Sequence, residues 1–386
     1  MVRGHRTRPG GAGLRLLAAT AAVTDRVDVA VVGGGIAGMA VAYELAADRK
    51  VLVLEADSGV GLHATGRSAG TLALGYGPPR IRPATRLGLP LLKEPPFGAP
   101  LVTPRPVLWF ADRAHAVDAW TRFQEVCAST SDTRIVDRTE VPEIAPLLRA
   151  EAVAVAMLDE SAMDIDVHGL ISGYLKGLRT RGGQVQTGWR LVSAEHHGDW
   201  RLAAADGRTV RADVVVNAGG GWAAEIAATL GDGSVPLRIQ RRSAFLARSH
   251  ACPPVPGGAM VASASGAFYV KPEGTGYLCS PIDRTVVPAH DPKPDELAIA
   301  RAIEDINAAT ELDLRSVTTA WAGLQCFSPD GLPVVGFSLA VPAMFWLAGL
   351  AGFGIQTAPG FGMLAAASIR GETSGGLSPF EPGRFN

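Results

Sequence analysis

The stretch VDVAVVGGGIAGMAVAYELAA, residues 27–47, decides the fold of this chain. VDVAVV is an apolar, β-branched run that predicts a buried strand, and MAVAYELAA has the composition of a helix. Between them, Gly33, Gly35 and Gly38 keep the G-x-G-x-x-G spacing of a dinucleotide-binding turn. Gly33 permits a tight turn, Gly35 lets a pyrophosphate approach the backbone, and Gly38 lets helix and strand pack closely. The stretch therefore predicts a Rossmann-like unit that holds a dinucleotide.

The next predicted strand, KVLVLEA, ends near Glu55, which follows Gly38 by 17 residues. A carboxylate at this point can accept hydrogen bonds from both ribose hydroxyls of an adenosine, and it would repel a 2′-phosphate. The N-terminus of the first helix adds unpaired N–H groups that suit the pyrophosphate. Strand, turn, helix and terminal acid together make the nucleotide prediction far more specific than the glycines alone.

Three glycine-rich segments further along the chain favour a flavin over a nicotinamide dinucleotide. Residues 58–77, SGVGLHATGRSAGTLALGYG, are small and leave room for a long ligand to lie against the backbone. Residues 212–227 and 345–369 each repeat the order strand, glycine turn, helix. The last repeat supplies helix N-terminal amides for the ribityl-pyrophosphate region or for a ring carbonyl of a flavin. A nicotinamide-binding fold would instead continue from Glu55 with another strand–helix pair.

Composition excludes several classes of function. The chain has 386 residues, of which 47% are hydrophobic, enough for two domains with a large core. Its 36 basic and 37 acidic residues are interspersed and leave a formal net charge of -1, which argues against a nucleic-acid partner. Four widely separated cysteines without CxxC or metal spacing predict reduced thiols, no metal site and a cytoplasmic location. No apolar stretch reaches the roughly 18 residues that span a membrane.

The motifs GGGIAG, HATGRSAG, VVVNAGGGWA and GFGIQTAPGFG, together with Glu55, resemble the FAD-dependent D-amino-acid oxidase superfamily. That superfamily includes glycine and sarcosine oxidases and D-amino-acid dehydrogenases. The similarity covers nearly the whole chain from Val27 onward. It is greatest to bacterial D-arginine dehydrogenases, through TGRSA, YGPP, DID, GYLKGLR, RRSAF, FYVKP and GIQT. The resemblance implies FAD as the cofactor.

The predicted architecture is α/β, of the two-domain α+β kind. A Rossmann-like FAD-binding domain is interrupted twice by a sheet-rich substrate-binding domain, whose strands include RPVLWFA, SAFLAR and AFYVKP. The FAD-binding domain is predicted to comprise residues 25–103, 159–236 and 321–386, and the substrate-binding domain residues 104–158 and 237–320. Residues 1–24 are expected to form a disordered tail or a leader.

The resemblance also implies which residues contact FAD. Cys326 falls at, or within one residue of, the position where sarcosine oxidases attach the flavin through a thioether. Non-covalent FAD beside a buried, inert Cys326 is the expectation, and a covalent link there is the alternative. The residues implied to bind the cofactor are Gly33, Gly35, Ile36, Ala37, Gly38, Glu55, Ala56, Thr65, Gly66, Arg67, Ser68, Ala69, Gly70, Leu191, Ala218, Gly219, Trp222, Gly323, Gly352, Phe353, Gly354, Ile355 and Gln356.

The resemblance places five residues at catalytic or substrate-orienting positions, four of them as matches and Gln325 as a departure. Arg242 matches an arginine that clamps the substrate carboxylate, and Tyr269 matches a tyrosine that assists it. Tyr76 matches a lid tyrosine, and Gly352 lies at the flavin end of the site. Gln325 stands where the relatives closest in sequence have a second clamp arginine. The alternatives are that Arg242 lies at a strand edge on the surface and that the two tyrosines only pack.

The predicted substrate pocket departs from that of D-arginine dehydrogenase. Val107 replaces the acid that pairs with a cationic side chain, and Thr71 replaces a histidine. Met260 and Ala262 are expected to complete the pocket wall. A cationic substrate would lack its counter-charge here, so D-arginine is not the expected substrate.

The function implied by the resemblance is hydride transfer from an amine C–H to flavin N5, giving an imine that hydrolyses. The expected substrate is a D-amino acid or an N-substituted amino acid, and the electron acceptor is oxygen or a quinone. One alternative is an oxidase of a specialised amine, C–N or N–N biosynthetic intermediate; another is a non-catalytic flavoprotein subunit. The chain is expected to be a monomer or a homodimer.

Overall fold

The computed structural model describes residues 26–372 and 375–385. The predicted tail or leader, residues 1–24, lies outside the described residues. The strands are β1 (Val27–Val32), β2 (Val51–Leu54), β3 (Thr71–Leu72), β4 (Val102–Pro104), β5 (Val107–Ala111), β6 (Thr133–Val136), β7 (Val155–Asp159), β8 (Met163–Ile165), β9 (Gln184–Gln186), β10 (Leu191–His196), β11 (Trp200–Ala204), β12 (Thr209–Asn217), β13 (Arg238–Ala247), β14 (Met260–Ser263), β15 (Tyr269–Glu273), β16 (Gly276–Ser280), β17 (Val317–Phe327), β18 (Val334–Phe337) and β19 (Met344–Ala348). The helices are α1 (Ile36–Leu45), α2 (Arg82–Lys93), α3 (Ala116–Ser129), α4 (Val141–Ile144), α5 (Val167–Thr180), α6 (Ala223–Leu230), α7 (Glu296–Ala309) and α8 (Gly354–Ile369).

The first sheet has β1 at its centre, between β2 and β12, and both neighbours run parallel to it. β9 extends the sheet beyond β2, and β19 pairs in parallel with the last residues of β12. The hairpin β10–β11 pairs with the first part of β12, and β18 closes the edge beside β19. Because Val32 is in register with both Leu54 and Asn217, three parallel strands end at one edge. Ligands bind at such an edge in open α/β sheets.

Helix α1 is sandwiched between this sheet and the helices α5 and α8. Nine of its ten residues are buried, Glu44 being the exception, so the helix is apolar on all sides. α8 also packs on α2 so tightly that a Cβ at Gly360 would lie 1.9 Å from the carbonyl oxygen of Ala84. No helix in the described part of the chain is long and apolar enough to cross a membrane.

The second sheet has the order β17-β13-β16-β15-β14-β5-β7-β6. β13 and β17 pair antiparallel along their whole length, with Arg242 opposite Gly323. β17 remains in this sheet as far as Phe327, so the predicted domain boundary at residue 321 falls inside one of its strands. A small third sheet, β3-β8-β4, carries Thr71 in its first strand. The assignment of FAD and substrate to separate domains stays a prediction.

Candidate active site

A cavity of about 440 Å³ opens at the edge where β1, β2 and β12 end. We refer to it as the first cavity. Its wall includes Glu55, which follows β2, and Gly352, which lies just before α8. The predicted cofactor residues that line it are Gly33, Gly35, Ile36, Ala37, Glu55, Ala56, Thr65, Ser68, Leu191, Ala218, Gly219, Trp222, Gly352, Gly354 and Ile355.

Gly33, Gly35 and Gly38 have different structural roles in the turn. Gly33 has a φ of 111°, and a Cβ there would lie 2.5 Å from the carbonyl oxygen of Ala218. A Cβ at Gly38 would lie 1.9 Å from the carbonyl oxygen of Gly33, so α1 rests directly on the turn. Around Gly35, the only described atom within 4 Å of such a Cβ would be Thr65 Oγ1, at 3.4 Å. The space beside Gly35 is therefore cavity, and it forms a cradle that fits a pyrophosphate.

The N-terminus of α1 suits an anion. Its first turn contains no acidic residue among those described, so the positive end of the helix dipole is not offset there. Thr65 Oγ1 accepts a hydrogen bond from the Ile36 N–H at 3.0 Å and ties the loop after β2 to this end of the helix. The loop and the helix end are thus held together as one wall of the first cavity.

Glu55 is oriented by the backbone around it. Its Oε2 accepts from the Gly34 N–H at 2.7 Å, and its Oε1 accepts from the Asp57 N–H at 2.9 Å. Each carboxylate oxygen can accept a second hydrogen bond, so the group can still receive two ribose hydroxyls from the cavity side. The two backbone donors fix the carboxylate before any ligand binds.

Several residues of the first cavity were not predicted from the sequence. Asp57, Trp189, Arg190 and Glu225 line it, but the sequence did not assign them to the cofactor. Trp189 and Arg190 directly precede β10, and Glu225 lies on α6, so only the folded structure brings them to Asp57.

A second cavity, of about 600 Å³, adjoins the first. The two share Ser68, Gln325, Gly352 and Ile355, so a ligand that fills the first cavity presents one end to the second. The predicted catalytic and pocket residues that line the second cavity are Thr71, Tyr76, Val107, Arg242, Met260, Ala262, Tyr269, Gln325 and Gly352. The structure therefore brings these predicted residues together around one space.

Arg242 and Gln325 form a hydrogen-bonded pair in this space. Arg242 Nε donates to Gln325 Oε1 at 3.0 Å, and Nη1 donates to the carbonyls of Ile282, at 2.9 Å, and Asp283. Because a guanidinium only donates, Gln325 must turn its oxygen toward Arg242 and offer its Nε2 as a donor elsewhere. Arg242 Nη2 has no hydrogen-bond partner among the described residues. The pair thus presents two donors, one cationic and one neutral, instead of a bidentate guanidinium.

Tyr76 lies near this pair, beside Gly352. A Cβ at Gly352 would lie 2.8 Å from the Tyr76 hydroxyl and 3.3 Å from Gln325 Nε2, so both groups crowd the bare Cα of Gly352. The Tyr76 ring is stacked on Trp109 at 5.8 Å and packs edge-on against Phe353 at 4.9 Å. Trp109 is a further pocket residue that the sequence did not reveal. A side chain at position 352 would occupy the space between the Tyr76 hydroxyl and Gln325 Nε2 and would displace these groups.

Tyr269 faces the same cavity from β15. Burial raises the pKa of Tyr269 to about 12, so its hydroxyl stays protonated near neutral pH and can donate a hydrogen bond. Burial also lowers the pKa of Arg242, although a guanidinium remains charged at neutral pH. The site therefore offers several donors, and no carboxylate among the described residues forms a hydrogen bond with Arg242 Nη2.

The other predicted cofactor residues lie around these two cavities. Arg67, Ala69, Gly70 and Gln356 line the second cavity only, and Gln356 Oε1 accepts from the Ala73 N–H at 3.1 Å. The remaining four, Gly38, Gly66, Gly323 and Phe353, line neither cavity and act through packing or line neighbouring space.

Cys326 is buried in the wall of the first cavity. Burial raises the pKa of its thiol to about 12. Since the thiolate is the reactive form of cysteine, this thiol is a poor nucleophile at neutral pH. The surroundings of Cys326 favour non-covalent FAD.

Comparison with known proteins agrees with this geometry. A family model described as FAD dependent oxidoreductase (DAO) matches residues 28–368. The FAD-dependent oxidoreductase domain-containing protein 1 of Bos taurus is 26% identical over 98% of this chain and 88% of its own length. Glycine oxidase of Geobacillus kaustophilus is 24% identical over 93% of this chain and 97% of its own. The solved structure of L-proline dehydrogenase from P. horikoshii superposes with a TM-score of 0.82, at 21% identity, over 94% of this chain and 98% of that one.

The contrast between Gly35 and Gly38 can be tested by alanine substitution. We expect Gly38→Ala to destabilise the protein by at least about 2 kcal/mol, because its Cβ collides with backbone. Gly35 has a φ of -72°, so Gly35→Ala should change the free energy of unfolding by less than about 1 kcal/mol and still weaken FAD binding at least tenfold. Urea unfolding of the apoprotein and FAD titration measure the two effects. Normal FAD affinity in Gly35→Ala would contradict the assignment of the cradle.

Acid precipitation tests the state of Cys326. We expect the flavin to appear in the supernatant, since the buried thiol is protonated and unreactive. Cys326→Ser should give the same result and the same flavin content. A yellow pellet from the unmodified protein that turns colourless in Cys326→Ser would show a thioether instead.

Proposed function

Since the chain belongs to the FAD dependent oxidoreductase (DAO) family, we propose that it oxidises a carbon–nitrogen bond of an amino acid or an N-substituted amino acid. FAD bound in the first cavity supplies the hydride acceptor. The observation that carries the proposal is the Arg242–Gln325 pair, whose free donors face the second cavity beside Gly352. The chain is similar to a glycine oxidase, whose name identifies an amino acid as its substrate, and this similarity also supports the proposal.

The donor pair suits a carboxylate. Arg242 Nη2 and Gln325 Nε2 can each donate to one carboxylate oxygen, and the positive charge of Arg242 strengthens the first of these hydrogen bonds. The carbonyls of Ile282 and Asp283 hold Nη1, so the guanidinium cannot turn away when no substrate is bound. A fixed carboxylate orients the adjacent C–H and C–N bonds, which is the protein's main contribution to this kind of reaction.

The Tyr76 hydroxyl and the bare Gly352 define where the reacting carbon fits. Tyr76 approaches Gly352 from one side and Gln325 approaches it from another, and the stacked Trp109 supports the tyrosine ring. The substrate side chain then extends toward Val107, Met260 and Ala262, which are buried and apolar. These residues offer no anion to a cationic side chain, which disfavours a substrate such as D-arginine.

An anaerobic screen tests the proposed reaction. We expect the absorbance of the bound flavin near ~450 nm to bleach with an α-amino acid or an N-alkyl amino acid, because hydride transfer reduces the ring. Amines that lack a carboxylate should reduce it far more slowly, since they cannot use Arg242. A protein that retains FAD but is bleached by none of the amino acids would overturn the proposal.

Substitutions at the donor pair test how the carboxylate is held. Arg242→Met should raise the dissociation constant of the carboxylate substrate roughly 10- to 100-fold, which is the loss expected for a charge-assisted hydrogen bond. Gln325→Glu keeps an acceptor for Arg242 but replaces the second donor with an anion, so it should weaken carboxylate binding by a similar factor. Gln184→Glu, on an exposed part of β9, makes the same chemical change away from both cavities. Stopped-flow flavin reduction gives the dissociation constants, and an unchanged value in Arg242→Met would refute the clamp.

A further inference from the structure

Arg284 lines the second cavity. It is exposed, and among the described residues it forms neither a hydrogen bond nor an ion pair. Its guanidinium lies over Gly266, where a Cβ would be 2.8 Å from Nη2. Burial raises the pKa of Tyr76, and the positive charges of Arg242 and Arg284 act against this rise. Arg284 lines the same cavity as Tyr76 and Arg242.

The other charged side chains of the cavity already have partners or lie apart from Arg242. Arg67 pairs with Asp291 at 2.6 Å, and Arg122 donates to the carbonyl of Ala264 at 3.1 Å. The charged residues that line the second cavity are Arg67, Arg82, Arg122, Arg242, Arg284 and Glu125. Because Asp291 offsets the charge of Arg67, four cations remain beside the single acid Glu125, and this excess of positive charge attracts anions.

One strained loop positions both Arg242 and Arg284. Ile282 has a φ of 48°, an unusual conformation for a β-branched residue. The carbonyls of Ile282 and Asp283 hold Arg242, and the Asp283 carboxylate accepts from the Ser243 N–H at 2.6 Å. Arg284 follows directly, so the loop that fixes the clamp also fixes the start of this side chain. Strain of this kind concentrates at functional sites.

We propose that Arg284 binds a second anionic group of the substrate, so that the preferred substrate is an amine with two acidic groups. This inference rests on the proposed function. One carboxylate lies on the Arg242–Gln325 pair, and the other reaches the mouth of the cavity. The neutral Gln325 limits the charge at the first group, and Arg284 provides charge for the second. The substrate class is an N-carboxyalkyl amino acid or an amino acid with an acidic side chain.

Matched substrate pairs test the proposal on the flavin-loaded enzyme. N-ethylglycine and N-(carboxymethyl)glycine differ only in a terminal methyl group that is replaced by a carboxylate, and D-2-aminobutyrate and D-aspartate form a second such pair. Anaerobic stopped-flow reduction gives a dissociation constant for each. The diacid should bind about tenfold more tightly than its methyl partner, which matches one charge-assisted hydrogen bond.

Three variants assign that preference to Arg284. Arg284→Gln should lower the ratio of the two dissociation constants about tenfold, and Arg284→Lys should keep most of it because the charge remains. Arg238→Gln, at an exposed arginine outside both cavities, should leave the ratio within twofold. A diacid that binds no better than its methyl partner would overturn the proposal. So would an equal loss for both partners in Arg284→Gln, since Arg284 would then serve a single carboxylate.

A binding measurement separates this proposal from the reaction itself. Butyrate and succinate differ by the same methyl-to-carboxylate change, and both should perturb the spectrum of the bound flavin without reducing it. Preference for succinate that disappears in Arg284→Gln would support the second anion site even if no amine bleached the flavin. Equal affinity for the two acids in the unmodified enzyme would overturn it even if amines were oxidised.

Discussion

The contact between the carbonyl of Gly33 and the Cα of Gly38 constrains the whole structure. A Cβ at Gly38 would lie 1.9 Å from that oxygen, so the helix and the turn touch backbone to backbone. Helix α1 is buried on nine of its ten residues between the sheet, α5 and α8, and it cannot shift without moving all three. Its N-terminus is therefore fixed at the sheet edge by packing and by the hydrogen bond from the Ile36 N–H to Thr65, and neither of these uses a charged side chain.

The Arg242–Gln325 pair is likewise held in place before a ligand binds. Two nitrogens of Arg242 donate hydrogen bonds within the protein: Nε donates to Gln325, and Nη1 donates to the carbonyls of Ile282 and Asp283. A free arginine would lose side-chain entropy when it gripped a carboxylate, whereas this one is already ordered. The pairing also fixes the orientation of the Gln325 amide, because only its oxygen can accept a hydrogen bond from the guanidinium. Gly352 then leaves the donors uncovered.

Local sequence patterns predicted the parts of the site that are local in structure. The glycine turn, Glu55 and the third glycine-rich helix were found because strand, turn and helix follow one another along the chain. The α/β fold and the FAD cofactor are confirmed by the family match and by the structural likeness. The hydrogen bond between Arg242 and Gln325 joins residues 83 positions apart, and no spacing rule encodes it. The sequence did not identify Trp109 either, because its contact with Tyr76 also joins residues far apart along the chain. The roles of the individual site residues stay predictions.

The boundary near residue 321 shows another limit. The sequence pattern changes there because the chain approaches the glycine-rich segment, yet β17 continues in the second sheet to Phe327. β17 has eleven residues, so it is long enough to extend from the second sheet to the first cavity, where it places Gln325. The periodicity of apolar residues predicts which residues are buried, but it does not predict to which sheet a strand belongs.

The central position of β1 has a consequence for biosynthesis. β1 is among the first described elements, but its partner β12 contributes Ala212 opposite Val27, and the cavity wall is completed only by Gly349 and Gly352. During translation one edge of β1 can pair with β2, but the other edge stays unpaired until β12 has been synthesised, and an unpaired edge can pair wrongly. The cofactor can be enclosed only after the residues up to Gly352 have left the ribosome. A nascent chain that lacks these residues offers FAD no complete site.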